Sequence, residues 1–114
     1  MLFRSYEYIF YNKESYEIIK HIIDFNINIE INWDIICQNE GLIKIIDQII
    51  ELEGYESTKL NWNILCANKN AIHIIRNIIN IEGIVSTKLN WNMICYNEEA
   101  IPIIKTYPQL IKWR

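Results

Sequence analysis

The chain has 114 residues, of which 51% are hydrophobic, and a net charge of −3. This length fits one domain with its own core. The scattered, weakly acidic charge argues against nucleic acid as the main partner, because binding a phosphate backbone needs clustered Lys and Arg. The uninterrupted apolar stretches are only a few residues long, so we expect no membrane span. The first ten residues include Glu7 and do not resemble a secretory leader, so we expect three free thiols in a reducing compartment.

A repeat of 29 residues organises the chain, and repeats of this length decide the fold class. The seven residues from Ser57 to Asn63 recur unchanged from Ser86 to Asn92. Four further features recur at the same spacing: Trp33, Trp62 and Trp91; Cys37, Cys66 and Cys95; Asn39, Asn68 and Asn97; and the Ile pairs 45–46, 74–75 and 103–104. These features divide the chain into units at about 6–32, 33–61, 62–90 and 91–114.

The first unit is a degenerate copy that lies 27 residues before the next. Tyr6 takes the Trp place, Phe10 the Cys place, Asn12 the Asn place, and Ile18-Ile19 the place of the Ile pair. Residues 25–32 then alternate apolar and polar side chains, which is the period of a strand. We predict an extended connection there. Whether it pairs with another strand stays open, because an isolated strand is marginally stable.

Each unit is predicted to form a short helix, from the Trp to the residue before the recurring Asn, and a longer one. Asn32, Asn61 and Asn90 precede the Trp residues as N-caps. The recurring Asn ends the short helix, where it tolerates a left-handed conformation, and caps the next helix. Gly54 and Gly83 end the longer helices. Polar residues spaced three or four apart predict a solvent-facing stripe on each long helix: Glu17, Lys20, His21 and Asp24; Lys44, Asp47, Gln48 and Glu51; His73, Arg76, Asn77 and Asn80.

The last unit is shorter, with 22 residues from Trp91 to Trp113. Pro102 falls in the first turn of its long helix, where proline is tolerated. Trp113 stands where a further unit would begin, and it either folds back as a cap or docks onto another chain. An Ile-rich unit cannot bury its surface alone, whereas stacking several units does. We therefore predict an all-α fold, an α-solenoid of about four helix-turn-helix repeats in a single domain, 1–114.

The pattern Asn61-Trp62, Asn68 and Asn70-Ala71-Ile72-His73-Ile74-Ile75 resembles a repeat of giant DNA viruses of the mimivirus group. The period of those repeats is close to the 22 residues of the last unit, whereas two units here carry seven more and lack the family's Pro after the recurring Asn. A looser resemblance is to ankyrin repeats, without their Thr-Pro-Leu-His turn. Both resemblances imply stacked helical hairpins and a binding role, and neither implies a catalytic residue.

The candidate chemical groups favour structural roles. Equivalent positions in a stack lie about 9–10 Å apart, too far for the three Cys to share a zinc ion or to form disulfides, so we expect them in the core. His21 and His73, and carboxylates at helix ends such as Glu53 and Glu82, are expected in solvent. The recurring Trp residues are expected to fill the seam between units rather than to form a binding strip. We find no phosphate loop or serine elbow, and predict no enzyme, metal or cofactor.

These observations predict a non-catalytic protein–protein interaction module or scaffold, located in the host cytoplasm or the virion. The alternative is a small structural subunit, of the minor or cement type, of a viral particle. The expected partner is another protein or further copies of the chain, not nucleic acid, a membrane span or a small-molecule substrate. The predicted contact residues are Trp113 and the two positions at which the loops Gly54–Leu60 and Gly83–Leu89 differ, Tyr55-Glu56 and Ile84-Val85.

Overall fold

A computed structural model describes residues 8–27 and 29–110, with side chains as far as residue 109. Within these ranges the regular secondary structure is helical, and there is no strand. The chain divides into two compact units, Met1–Asn61 and Trp62–Arg114, each of which spans two of the repeats. From here on, a unit is one of these two parts of the chain, and a repeat is one of the four repeated segments. The all-α class is therefore confirmed for the described residues. The solenoid stacking of all four repeats and the single domain stay predictions.

The first unit alternates short and long helices: α1 Tyr8–Tyr11, α2 Tyr16–Asp24, α3 Trp33–Gln38, a 3₁₀ turn Glu40–Leu42 and α4 Ile43–Glu53. The short helices α1 and α3 pack against each other, and each packs on the long helix of its own repeat. The recurring Trp begins α3 and the residue before the recurring Asn ends it, as predicted.

The second unit repeats this order: α5 Trp62–Ala67, a 3₁₀ turn Lys69–Ala71, α6 Ile72–Glu82, α7 Trp91–Ile94, a 3₁₀ turn Glu98–Ala100, α8 Ile101–Thr106 and a 3₁₀ turn Pro108–Leu110. The short helices α5 and α7 again pack against each other. Helix α7 ends two residues earlier than predicted, because the amides of Tyr96 and Asn97 bond three residues back, to Met93 and Ile94. Pro102 lies in the first turn of α8, as predicted.

The segment predicted to be extended begins with a helix cap. Asn26 adopts a φ of 51°, its amide bonds to the Ile23 carbonyl, and the Ile27 amide bonds to the Ile22 carbonyl. These two bonds are the Schellman motif, in which a left-handed residue satisfies the last carbonyls of a helix. The described residues that follow, 29–32, form no strand and make an irregular connection to α3. The alternation of side chains therefore does not correspond to strand pairing.

Asparagine side chains cap both kinds of helix. Asn32 and Asn90 accept the amides of Ile35 and Met93, as N-caps of α3 and α7. The recurring Asn also accepts an amide two residues later and so begins each 3₁₀ turn. Its backbone is extended, with φ of −79° at Asn39, so this Asn does not use the left-handed conformation that it could tolerate. The extended backbone follows from the cap itself, because an N-cap residue favours the β region.

The recurring Asn also joins one repeat to the preceding one. In the first unit the Asn39 amide group donates to the carbonyls of Phe10 and Asn12, at 2.8 and 3.1 Å. In the second unit Asn97 donates to the carbonyls of Cys66 and Asn68, at 3.0 and 2.9 Å. The acceptors are the Cys and Asn places of the earlier repeat in both units. The recurrence of Asn is therefore explained by a contact between repeats as well as by a cap.

Gly41 lies at the same junction in the first unit. A Cβ atom at this position would overlap the Lys13 carbonyl. The backbone of the second repeat therefore approaches that of the first too closely for any larger residue.

The core consists mainly of the Ile pairs and of residues from the short helices. Ile45, Ile46, Ile74 and Ile75 are buried, whereas the predicted stripe faces outward, with His73, Arg76, Asn77 and Asn80 all exposed. Cys37 and Cys66 are buried as predicted, but Cys95 is exposed. No helix in the described ranges has the length and apolar character needed to cross a membrane.

The recurring tryptophans do not fill the core. Trp33, Trp62 and Trp91 are each only partly buried. Each is the first residue of its short helix. The buried core is made mainly of Ile, Leu and Cys side chains, and the prediction that the tryptophans fill the seam between repeats stays a prediction.

Candidate functional site

The two loops that follow the long helices α4 and α6 form the candidate site. We call them the first loop, Gly54–Leu60, and the second loop, Gly83–Leu89. Each consists of two successive turns closed by backbone hydrogen bonds, from Ser57 to Gly54 and from Leu60 to Ser57 in the first loop. The second loop has the same two bonds, at 3.2 and 3.1 Å. The two positions that differ between the loops are thus the central residues of the first turn.

Glycine allows the chain to leave each long helix at the same angle. Gly54 and Gly83 have φ of 85° and 84°, and each amide still bonds to the helix carbonyl four residues back. A φ of this sign favours glycine because it has no Cβ atom to clash with the backbone. The predicted glycine stop is therefore confirmed at both helices.

A carboxylate at the end of each long helix holds its loop closed. Glu53 accepts the Ser57 hydroxyl at 2.7 Å and forms an ion pair with Lys59. The second loop has the same arrangement, in which Glu82 accepts a hydroxyl at 2.6 Å and a lysine ammonium group at 2.8 Å. The serine hydroxyl in turn accepts the amide two residues later. We call this arrangement of Glu, Ser and Lys the loop clamp.

The loop clamp shifts the acidity of its carboxylates. The hydrogen bond from Lys59, followed by that from Ser57, lowers the pKa of Glu53 below its ordinary value of 4.5. The hydrogen bonds from Lys88 and Ser86 lower the pKa of Glu82 in the same way. Both glutamates are exposed, as predicted, but their part in the loop clamp was not foreseen. The signal that would have found them is the spacing Glu-Gly-x-x-Ser-x-Lys, which recurs after 29 residues.

The base of each loop is fixed by a buried cysteine. The Cys37 thiol donates to the Lys59 carbonyl at 3.7 Å and accepts the Asn61 amide at 3.4 Å. Cys66 makes the same two contacts with residues 88 and 90 of the second loop and its flank. Burial raises the pKa of the Cys37 thiol to about 11 and also raises that of Cys66. A buried thiol of raised pKa is an inert anchor, not a nucleophile.

Tryptophans support the loops from the side. The Lys59 ammonium lies 5.2 Å from the centre of the Trp33 ring, within range of a cation–π interaction. In the second loop the indole N–H of Trp91 donates to the Ile84 carbonyl at 3.1 Å. One recurring Trp therefore contacts the loop within each unit, Trp33 in the first and Trp91 in the second.

The predicted contact residues lie at the loop tips. Val85 is 82% exposed, Glu56 is exposed, and Tyr55 and Ile84 are half-buried. Each pair belongs to its own compact unit. Trp113 lies outside the described residues.

The other candidate features of a site are the histidines, groups of metal-binding side chains and surface cavities. His21 and His73 are exposed, as predicted. Among the described side chains, no group of three or more His, Cys, Asp or Glu is placed to hold a metal ion. Surface cavities of about 160 and 190 Å³ lie beside Asn39 and beside Arg76. Both are smaller than the roughly 300–1,000 Å³ typical of small-molecule pockets.

Comparison with models of protein families, with curated proteins and with solved structures finds no match to this chain.

Proposed function

We propose that this chain is a non-catalytic protein–protein interaction module of viral origin, and that the tips of the two loops contact another protein. The observation that carries the proposal is the pairing of one loop framework with two different tips. The clamp, the glycine and the anchored base are the same in both loops, and only the central residues of the first turn differ. A constant scaffold with varied tips suits recognition, because the scaffold positions the residues that set specificity.

The physics of the loops supports this role. A clamped loop is ordered before a partner arrives, which reduces the entropy lost on binding. The first tip offers an aromatic residue and a carboxylate, Tyr55 and Glu56, whereas the second offers the apolar pair Ile84 and Val85. Tyrosine is enriched among the residues that dominate binding energy, and apolar side chains supply buried area.

The charges of the loops favour a protein partner over nucleic acid. Lys59 and Lys88 are each paired with a glutamate, so neither brings net positive charge to its loop. Neutralising phosphates requires basic side chains in excess, and the chain as a whole carries −3. The proposed viral origin, and with it the host cytoplasm or virion, depends on the resemblance of the Asn-Trp repeat.

The proposal is tested by changing the tips while leaving the clamp intact. The Tyr55→Ser/Val85→Ser double variant and an Ile81→Ser control would be compared with the parent chain as baits in a lysate of the cells that produce it. Ile81 is also an exposed apolar residue, but it lies on α6 outside the loops. We expect one or more proteins to be retained by the parent and the control and lost by the double variant.

The affinity of the purified partner then decides the outcome. Loss of two contact side chains should raise Kd at least about tenfold, since a hot-spot residue contributes about 2 kcal/mol and each 1.4 kcal/mol is tenfold. Equal affinity of the double variant and the parent chain would refute the assignment of the tips.

A structural subunit of a viral particle is the second candidate. Large apolar side chains that are exposed in the first and last repeats, among them Ile18 and Ile101, favour it, because assembly buries such surface. This candidate requires the protein to be present in purified particles at a constant ratio to their major components. Absence of the protein from purified particles would refute the structural-subunit proposal.

A further inference from the structure

The first repeat exposes a surface that the later repeats bury. Ile18 is 55% exposed, whereas Ile45, its equivalent in the second repeat, is 1% exposed. Asn12 is exposed, whereas its equivalent Asn39 is buried against the carbonyls of the first repeat. Tyr8, also exposed, lies on α1 beside these residues in sequence. We call Tyr8, Asn12 and Ile18 the leading face.

The last repeat exposes a different set of positions, which earlier repeats bury. Cys37 and Cys66 are buried under the segment that leads to the next recurring Asn-Trp pair. Cys95, their equivalent, is exposed, and Ile101 is 50% exposed whereas Ile43, its equivalent in the second repeat, is 5% exposed. We call Cys95 and Ile101 the trailing face. Apolar groups of this size contribute free energy when they are covered, so both faces favour contact with another surface.

The contacts between neighbouring repeats show which groups can bind to such a face. In both units the recurring Asn of the later repeat donates to two carbonyls of the earlier repeat, at its Cys and Asn places. The corresponding carbonyls on the last repeat belong to Cys95 and Asn97. Asn12 accepts the Glu14 amide at 2.8 Å, as Asn39 accepts that of Gly41, so both amide groups have the same orientation.

The charges beside the recurring Asn are also complementary. The residue after it alternates in sign through the four repeats, as Lys13, Glu40, Lys69 and Glu98. At the first junction Lys13 and Glu40 form an ion pair at 3.4 Å. By the same alternation, a repeat packed after the last one should carry a basic residue that faces Glu98. The first repeat of a second copy carries Lys13 at that position.

We propose that copies of this chain associate head to tail, with the leading face of one copy on the trailing face of another. The Asn12 amide group then donates to the Cys95 and Asn97 carbonyls of the second copy, and Lys13 pairs with Glu98. Such an interface is heterologous, so it produces a ring if the rotation closes and an open chain of copies if it does not. The loop tips take no part in this contact, and the proposal is therefore independent of the interaction loops.

The test is the solution mass, measured by light scattering on a sizing column over a range of concentrations in the presence of a reducing agent. The parent chain should exceed its monomer mass of 13.7 kDa, and increasingly so as concentration rises. Ile18→Lys blocks the leading face and Ile101→Lys the trailing face, so each variant alone should stay monomeric. Ile81→Lys places the same charge on an exposed isoleucine outside both faces and should behave as the parent.

Mixing the two blocked variants distinguishes head-to-tail contact from any symmetric dimer. Ile18→Lys retains a free trailing face and Ile101→Lys a free leading face, so an equal mixture should form a one-to-one dimer of twice the monomer mass and no larger species. All three variants change exposed side chains, and unchanged far-UV circular dichroism would show that they fold.

Three outcomes would overturn the proposal. They are a parent chain that stays monomeric at every concentration, a mixture that forms no dimer, and self-association that only one of the two variants abolishes. The Tyr55→Ser/Val85→Ser variant should still associate, so failure of the loop proposal leaves this result unchanged.

Discussion

Replacing Asn97 by Ala should be among the most destabilising single changes in the second unit. The side chain is 1% exposed and makes three hydrogen bonds. Its amide group donates to the carbonyls of Cys66 and Asn68, and its oxygen accepts the Glu99 amide at 3.1 Å. Each bond contributes about 0.5–1.5 kcal/mol, so we expect a loss of about 2–4 kcal/mol in the free energy of unfolding. This is a large share of the roughly 5–15 kcal/mol of a typical domain.

The assay is urea denaturation followed by far-UV circular dichroism and tryptophan fluorescence. Asn77→Ala is the matched control, because Asn77 is exposed on the outer face of α6. That substitution should stay within about 0.5 kcal/mol of the parent chain. Equal effects of the two substitutions would refute the idea that the recurring Asn holds successive repeats together.

Asn97→Asp separates the cap from the contact between repeats. The substitution preserves the oxygen that accepts the Glu99 amide, but it places a second oxygen against the carbonyls of Cys66 and Asn68. At neutral pH it should be at least as destabilising as Ala, because a buried carboxylate then faces two acceptors. Its deficit should shrink as pH falls, since protonation restores a donor and favours the folded state. Stability equal to the parent at pH 7 would show that only the cap matters.

Three further predictions concern the thiols, the close approach of the first two repeats and the loop clamp. In dilute, monomeric native protein one thiol, that of Cys95, should react with an alkylating reagent, and all three should react after denaturation, as counted by mass spectrometry. The reason is that Cys37 and Cys66 are buried, and burial raises the pKa of Cys37 to about 11. Rapid labelling of all three thiols in the native state would contradict this. Gly41→Ala should cost about 1–3 kcal/mol in denaturant unfolding, because its Cβ would meet the backbone of the first repeat, and an unchanged midpoint would disprove the close approach. An NMR titration should place the pKa of Glu82 below its ordinary value of 4.5. The ionised carboxylate therefore contributes to the free energy of unfolding above pH 4.5, and this contribution is lost as pH falls through the lowered pKa. Lys88→Met should move the pKa of Glu82 back up, and no movement would show that Lys88 is not the cause.

The local features of the fold could be predicted from the sequence because they depend on neighbouring residues. A helix cap needs an Asn side chain and an amide two or three residues later, and a helix stop needs a glycine. The outer stripe follows from the helical period alone. Asn32, Gly54 and the exposed His73 therefore lie where the pattern placed them.

The loop tips were predicted for a different reason. Two nearly identical segments differ only at Tyr55-Glu56 and Ile84-Val85, so the difference itself singles out these positions. The clamp was missed although all its residues recur, because its geometry depends on a turn that brings Glu53 and Lys59 together. The tips could be found from the variation between the two loop sequences, whereas the loop clamp could be found only from the folded structure of the loops.

The sequence by itself determined the repeat, the helical class, the caps and the outward stripe, all of which arise from contacts within a few residues along the chain. Only the tertiary structure decided the roles of the residues that bridge 22 to 31 positions, as Cys66 reaches Lys88 and Asn97 reaches Cys66. It also showed that Cys95 is exposed while its equivalents are buried. Identical residues in a repeat have identical local preferences, but burial depends on which part of the folded chain covers them.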